Sequence, residues 1–266
     1  MTRGKIEGKH ISFSQVNMFT RCGEQYRRRY IEGEIIAPSG AMVRGRSCHK
    51  AEEMNFLHKI HSSEFLAVAD VVDVFSDTWE EERYSIVWNA DDLEGDSPKT
   101  AAGKMKDSGV RMLKVFHVEQ LVNCQPVELE VQCSVKFEGI EPVLVGYIDR
   151  IDEGDIIAEQ KFVKKSPTKT DILTDTQLTN YDFLFGEKYE RPPKGLKKQW
   201  AVDLATPKTV IQTAPPRTHE EKYRYLNRIE TFLDALKKGV FIPASTSDWV
   251  CSEKWCGYWS TCKYRA

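Results

Sequence analysis

The sequence predicts an α/β protein with a helical N-terminal half. Three short runs between residues 127 and 162 are alternating or β-branched, as strands are, and the long stretches before and after them carry apolar residues near helical spacing. With 266 residues the chain can bury one substantial core, and a single domain over 1–266 is expected.

The bulk composition narrows the class further. Hydrophobic residues make up 41% and charged residues 29%, with a mean hydropathy of -0.48, values of a globular chain and not of a disordered or membrane-embedded one. No apolar run is long enough to span a bilayer. The stretch Met1–His10 is polar where a secretory signal needs an apolar core, so an intracellular protein is expected. The formal charge of -2 excludes a protein that coats nucleic acid through bulk electrostatics, and leaves local basic patches for that task. Seven cysteines cannot all pair within one intracellular chain, so clustered ones suggest a metal or cluster.

Taken in order, Ser12-Phe13-Ser14 caps a helix over Gln15–Tyr30, with Val16, Phe19, Tyr26 and Tyr30 near helical spacing and Arg27, Arg28 and Arg29 at its end. Pro38-Ser39-Gly40 breaks the chain before a second helix over Ala41–His61, and further helices are expected over 64–84 and 98–119. Strands follow over Val127–Phe137, Val143–Asp152 and Ile156–Phe162. A helix over Thr176–Phe185, an exposed loop over Gly186–Gly195, strands over Gln199–Leu204 and Lys208–Thr213, and a closing helix over Thr218–Lys238 complete the order. No internal repeat or low-complexity tract is present.

The hairpin Gly146-Tyr147-Ile148-Asp149 to Glu159-Gln160-Lys161 is the chemical centre of the sequence. With Gly154 at the apex of a three-residue loop, positions summing to 308 face one another, which sets Asp149 opposite Glu159. Cross-strand β-carbons lie about 4.5–5.5 Å apart, so both carboxylates can reach one cation, and alternation puts Lys161 on the face of Glu159. An exposed charge ladder would give the same letters. The apolar residues before each acid argue instead for a buried sheet, where unpaired charge is costly.

These residues resemble the PD-(D/E)XK nucleases, in particular the RecB-like branch that includes the AddB nuclease domain and the CRISPR-associated iron-sulfur nucleases. Gly146-Tyr147-Ile148-Asp149 is similar to the Asp-bearing strand of that family, and Glu159-Gln160-Lys161 to its Glu-x-Lys. Gly45, His49 and Glu53 match its Gly-x3-His-x3-Glu helix, and Gln177 and Tyr181 its Gln-x3-Tyr helix, in the same order along the chain. The resemblance implies a restriction-endonuclease-like core, a mixed central sheet flanked by helices, with residues 57–126 as a helical insertion. It implies that His49, Asp149, Glu159 and the carbonyl of Gln160 bind Mn²⁺ or Mg²⁺, with Glu53 in support or at a second ion. Lys161 would orient or deprotonate water, and Gln177 and Tyr181 would position the DNA backbone.

Cys251, Cys256 and Cys262 lie within twelve residues at the C-terminus, with Cys22 far away in the first helix. Four thiols suit a tetrahedral zinc site or an iron-sulfur cluster equally. The resemblance implies a [4Fe-4S] cluster stapling the two ends, although four residues separate Cys251 from Cys256 where the family more often has two. Cys48, Cys124 and Cys133 are expected in the core. The implied activity is a metal-dependent DNA exonuclease of recombination, repair or replication, acting on single strands or DNA ends and working alone or beside a helicase or recombination protein. A structure-specific DNA endonuclease and a non-cleaving end-binding subunit are the alternatives. Lys161, Lys164, Lys165 and Lys169, and the run Arg27–Arg29, are candidate phosphate contacts.

Overall fold

A computed structural model describes residues 10–138 and 141–265. Met1–Lys9, part of the polar start on which the intracellular expectation rests, lies outside them. Six strands form one mixed sheet: β1 (His10–Ser12), β2 (Pro126–Val135), β3 (Val143–Asp152), β4 (Ile156–Val163), β5 (Gly195–Val202) and β6 (Lys208–Ala214). The order is β1-β3-β4-β5-β6, with β2 also on β3. The β1–β3 and β4–β5 pairs are parallel, and β2–β3, β3–β4 and β5–β6 are antiparallel.

Helices cover both faces. α1 (Phe13–Arg21), α2 (Gly23–Tyr26), α7 (Thr176–Tyr189) and α8 (His219–Lys237) lie on one side, and α3 (Gly40–Ser62), α4 (Val68–Glu82) and α6 (Pro98–Gln120) on the other, with the short α5 (Ala90–Leu93) before α6. Val16, Leu178, Leu184, Ile229 and Phe232 pack on Ile148, Ile151, Ile157 and Leu196 of the first face. Val43, Phe56, Phe75, Trp79, Met112 and Phe116 pack with Phe162 and Ala201 of the second. The helices of residues 57–126 thus form a core of their own against α3 and the sheet. Cys48, Cys124 and Cys133 are buried, as expected. Among the described residues no helix is long and apolar enough to cross a membrane.

Some boundaries differ from the sequence reading, each for a local reason. The first helix breaks at Cys22, which is extended at φ -163° and ψ 109°, and resumes as α2 and a π-helical turn over Arg27–Ile31. Gly23 causes the break: its N–H donates to the Ile242 carbonyl at 2.7 Å, and a β-carbon there would stand 2.6 Å from the Ile242 nitrogen. α4 starts at Val68 because Ser63 closes α3 in the left-handed region (φ 66°) and the Leu66 N–H donates to Asn55 Oδ1. α7 runs on to Tyr189, through the first part of the expected loop. Phe185 and Tyr189 pack one turn apart, rings tilted and centroids at 4.5 Å, and Lys188 and Tyr189 donate to β2 through the Gln132 carbonyl and Glu128. β5 begins at Gly195, four residues before the expected start.

Candidate active site

The site lies where the sheet splits. One edge of β3 pairs with β1 at Val143–Val145 and with β4 at Arg150–Asp152. The β3–β4 pairs Arg150–Ala158, Ile151–Ile157 and Asp152–Ile156 all sum to 308, as the hairpin reading required, and Gly154 occupies the turn with φ 77°. The ladder ends one residue short of Asp149 and Glu159. These two acids therefore sit where β3 and β4 part, on the side that faces α7.

A continuous chain of contacts joins them across the split. The Tyr181 hydroxyl donates to Asp149 Oδ1 at 2.8 Å, and Gln177 Nε2 donates to the Tyr181 oxygen at 2.7 Å. Lys161 Nζ donates to Gln177 Oε1 at 3.3 Å and forms a close ion pair with Glu159 Oε1. The spacing of four in Gln177 and Tyr181 puts both on one face of α7. Asp175 fixes the start of that helix: its Oδ1 accepts from the backbone N–H of Gln177 at 2.9 Å and of Leu178 at 3.0 Å.

Burial pushes both carboxyls up, Asp149 and Glu159 alike, while Lys161, and then the Tyr181 hydroxyl at Asp149 and Lys198 at Glu159, pull them back. Lys161 itself is drawn down by burial but further up by Glu159 and Asp149, so it stays a cation. Tyr181 is held protonated by burial and by the two acids, which suits a donor. Burial, then Lys161, lowers His49 to about 4, leaving a neutral imidazole at physiological pH. His49 is half-buried on α3, its ring edge against Phe162 at 5.6 Å, near enough for Lys161 and Glu159 to act on it.

Other expected residues fall elsewhere. Glu53 is half-buried on α3 and pairs with Lys50 at 3.1 Å. The side chain of Gln160 points to the opposite face, where it accepts from Arg150 at 3.3 Å. Lys165 and Lys169 are exposed, whereas Lys164 pairs with Glu94 at 2.7 Å. Two of the three guanidiniums of the run Arg27–Arg29 are already engaged and not open to phosphate: Arg27 pairs with Glu24 and Glu32. Arg28 is buried on Glu34, Thr261 and the Tyr258 carbonyl, tying the first helix to the C-terminal segment.

Both oxygens of Glu159 are buried without a hydrogen bond and are held by ion pairs alone. Hard oxygen donors of a buried carboxylate that accepts no hydrogen bond fit Mg²⁺ or Mn²⁺. Among the described residues, however, no group of three or more His, Cys, Asp or Glu is gathered to hold a metal ion. At the C-terminal end, Cys22, Cys251, Cys256 and Cys262 line one small cavity with Gln25 and Val250. Gln25 Nε2 donates to Cys256 Sγ at 3.2 Å and the Ala244 N–H to Cys22 Sγ at 3.3 Å. Burial, then the three other thiols, raises Cys251.

The chain belongs to the PD-(D/E)XK nuclease superfamily, whose family model matches residues 10–263. That membership implies a hydrolytic nuclease, in a family that usually uses Mg²⁺ or Mn²⁺. No curated protein matches the sequence. Among solved structures, one from Eubacterium rectale, provisionally described as an exonuclease, is similar at 11% identity with a TM-score of 0.56, over 93% of this chain and 87% of that one. The structure of SSO0001 is 15% identical with a TM-score of 0.46, over 100% of this chain and 90% of its own.

Sequence reasoning missed Lys198 and Asp175. Lys198 lies on β5 in register with Glu159, and its Nζ reaches Glu159 Oε2 at 3.1 Å and pairs closely with Asp175 Oδ2. The signal was the pair Lys197-Lys198 directly before an apolar strand, which reads as surface unless both lysines have buried partners.

Proposed function

We propose that this chain is a metal-dependent exonuclease of the RecB-like branch, hydrolysing phosphodiester bonds at DNA ends or in single strands during recombination, repair or replication. The observation that carries the reading is the unbroken chain Asp149–Tyr181–Gln177–Lys161–Glu159 at the split of the sheet. Asp149 and Glu159, with His49 and the Gln160 carbonyl, hold the cation, and Glu53 acts from the flank of α3. A divalent cation bound there polarises a phosphoryl oxygen and lowers the pKa of water. Lys161 orients the attacking water and offsets charge on the phosphate. Gln177 and Tyr181 position the DNA backbone, and Lys165 and Lys169 add phosphate contacts. The description of the Eubacterium rectale protein favours end-directed cutting.

The test is digestion of end-labelled single- and double-stranded DNA, linear and circular, with Mg²⁺ or Mn²⁺. Linear DNA is expected to be degraded from its ends while circles survive. Cut circles would make the protein an endonuclease, and binding without cleavage under every metal condition would make it an end-binding subunit.

We infer that the four thiols hold a [4Fe-4S] cluster with a structural role. Their common cavity and the two N–H···S contacts support it. Joining Cys22 to Cys262 closes a long loop, so such a clip contributes strongly to folding. Anaerobically purified protein is expected to be brown with about four irons per chain, and Cys22→Ala and Cys256→Ala to lose colour and solubility. Stoichiometric zinc without iron would overturn this assignment.

A further inference from the structure

We propose that Lys198 is a positioning residue that holds one oxygen of Glu159 in place, so that Glu159 offers its other oxygen alone to a cation. The inference rests on the proposed metal-dependent reading of the site.

Each Glu159 oxygen has its own lysine, Oε1 facing Lys161 and Oε2 facing Lys198. The two lysines differ in freedom. The side chain of Lys161 is 32% exposed, while that of Lys198 is 7% exposed. Lys161 can therefore swing off Oε1 toward a phosphate when a cation arrives. Lys198 cannot, because β5 pairs in register with β4 beneath it, the Trp200 ring lies against its ammonium at 5.6 Å, and Asp175 Oδ2 binds it from the far side.

Asp175 gives this contact its reach. One oxygen caps α7 and the other binds Lys198, so the lysine links Glu159 to the N-terminus of the helix that carries Gln177 and Tyr181. With Lys198 included, the contacts close into a ring: Glu159, Lys198, Asp175, the first turn of α7, Gln177, Lys161 and back to Glu159. A shift of the glutamate is thereby coupled to the residues that face Asp149. Lys198 also places a fixed positive charge beside the cation site, which weakens cation binding while it orients the ligand.

The test measures Mn²⁺ binding by the electron paramagnetic resonance signal of free Mn²⁺, together with cleavage, for wild type, Lys198→Met, Lys198→Arg and Asp175→Asn. Lys198→Met removes the fixed charge and frees Oε2, so Mn²⁺ should bind about five-fold tighter or more while kcat falls at least about ten-fold. A residue that only supports the fold would not tighten binding while slowing cleavage. Lys198→Arg should restore both values toward wild type. Asp175→Asn keeps the helix cap, since Asn caps as Asp does, and leaves Lys198 to Glu159 alone, so Mn²⁺ binding should weaken several-fold even if Lys198→Met does not fold.

Unchanged Mn²⁺ affinity in Asp175→Asn, or in folded Lys198→Met, would overturn the inference while leaving the proposed function intact. If the wild type neither binds Mn²⁺ nor cleaves, both fall together. If it binds Mn²⁺ without cleaving, the proposed activity fails, and the affinities of the variants still decide the role of Lys198.

Discussion

Adjacent residues of the same strands serve the two faces of the sheet in different ways. Asp149, Glu159, Lys161 and Lys198 point to α7, while Arg150, Asp152, Gln160, Lys197 and Gln199 point to α3. Both groups are at least half-buried and both are charged. On the α3 side the charges close on themselves: Arg150 pairs with Asp152 at 2.9 Å and donates to Gln199 at 2.5 Å, Lys197 pairs with Asp152 at 2.5 Å, and the Phe56 ring lies 4.4 Å from the Arg150 guanidinium. On the α7 side three carboxylates, Asp149, Glu159 and Asp175, share two lysines, at a place where the strands have parted. Buried charge alone therefore does not mark a site. A surplus of negative charge beside an open edge does, because only that group gains from an added cation.

The largest effects should separate the faces. Asp149→Asn or Glu159→Gln is expected to reduce cleavage by roughly three orders of magnitude, with stability in urea unchanged or raised, since each neutralises a strained buried carboxyl. Asp152→Asn should do the reverse. Removing its charge leaves Arg150 and Lys197 buried and under-compensated, at a cost of about 3–5 kcal/mol, while folded molecules keep cleavage within several-fold of wild type. Urea unfolding and single-turnover cleavage of each variant check this. Loss of cleavage in Asp152→Asn at wild-type stability would show that the faces are not separate.

The split itself was readable in advance only in part. Period-two alternation and the turn at Gly154 set the register that brings Asp149 toward Glu159, and the Gln177–Tyr181 spacing gave the face of α7 that meets them. Those are local rules, and local rules survive in a sequence. The end of the β3–β4 ladder at Arg150 was not legible, because it depends on β1 occupying the same edge of β3 from a distant part of the chain. Lys198 was missed for a related reason: a lysine reads as surface until its buried partners on β4 and α7 are known. The break at Cys22 likewise comes from the Ile242 backbone, more than two hundred residues away.

A smaller effect tests the α3 side through pH. Glu52 on α3 is fully buried. Its Oε2 accepts from Asn55 at 3.2 Å and its Oε1 has no hydrogen-bond partner. Burial raises its carboxyl to about 7, against smaller lowering effects of Asn55 and Arg150. The folded state thus binds this proton more tightly than the unfolded chain, whose value lies near 4.5. The stability this provides is fully present below about pH 4.5 and is lost as pH rises through about 7. Glu52→Gln resembles the protonated acid at every pH. It should match wild type in urea at pH 4.5 and exceed it by about 3 kcal/mol at pH 8, measured with chelator present so that cation binding does not contribute. Asp149 and Glu159 are unchanged in both proteins, so the difference isolates the closed face. Equal stabilities at pH 8 would mean that Arg150 already compensates an ionised Glu52, and would make that residue the second acid of a network whose two cations otherwise face Asp152 alone.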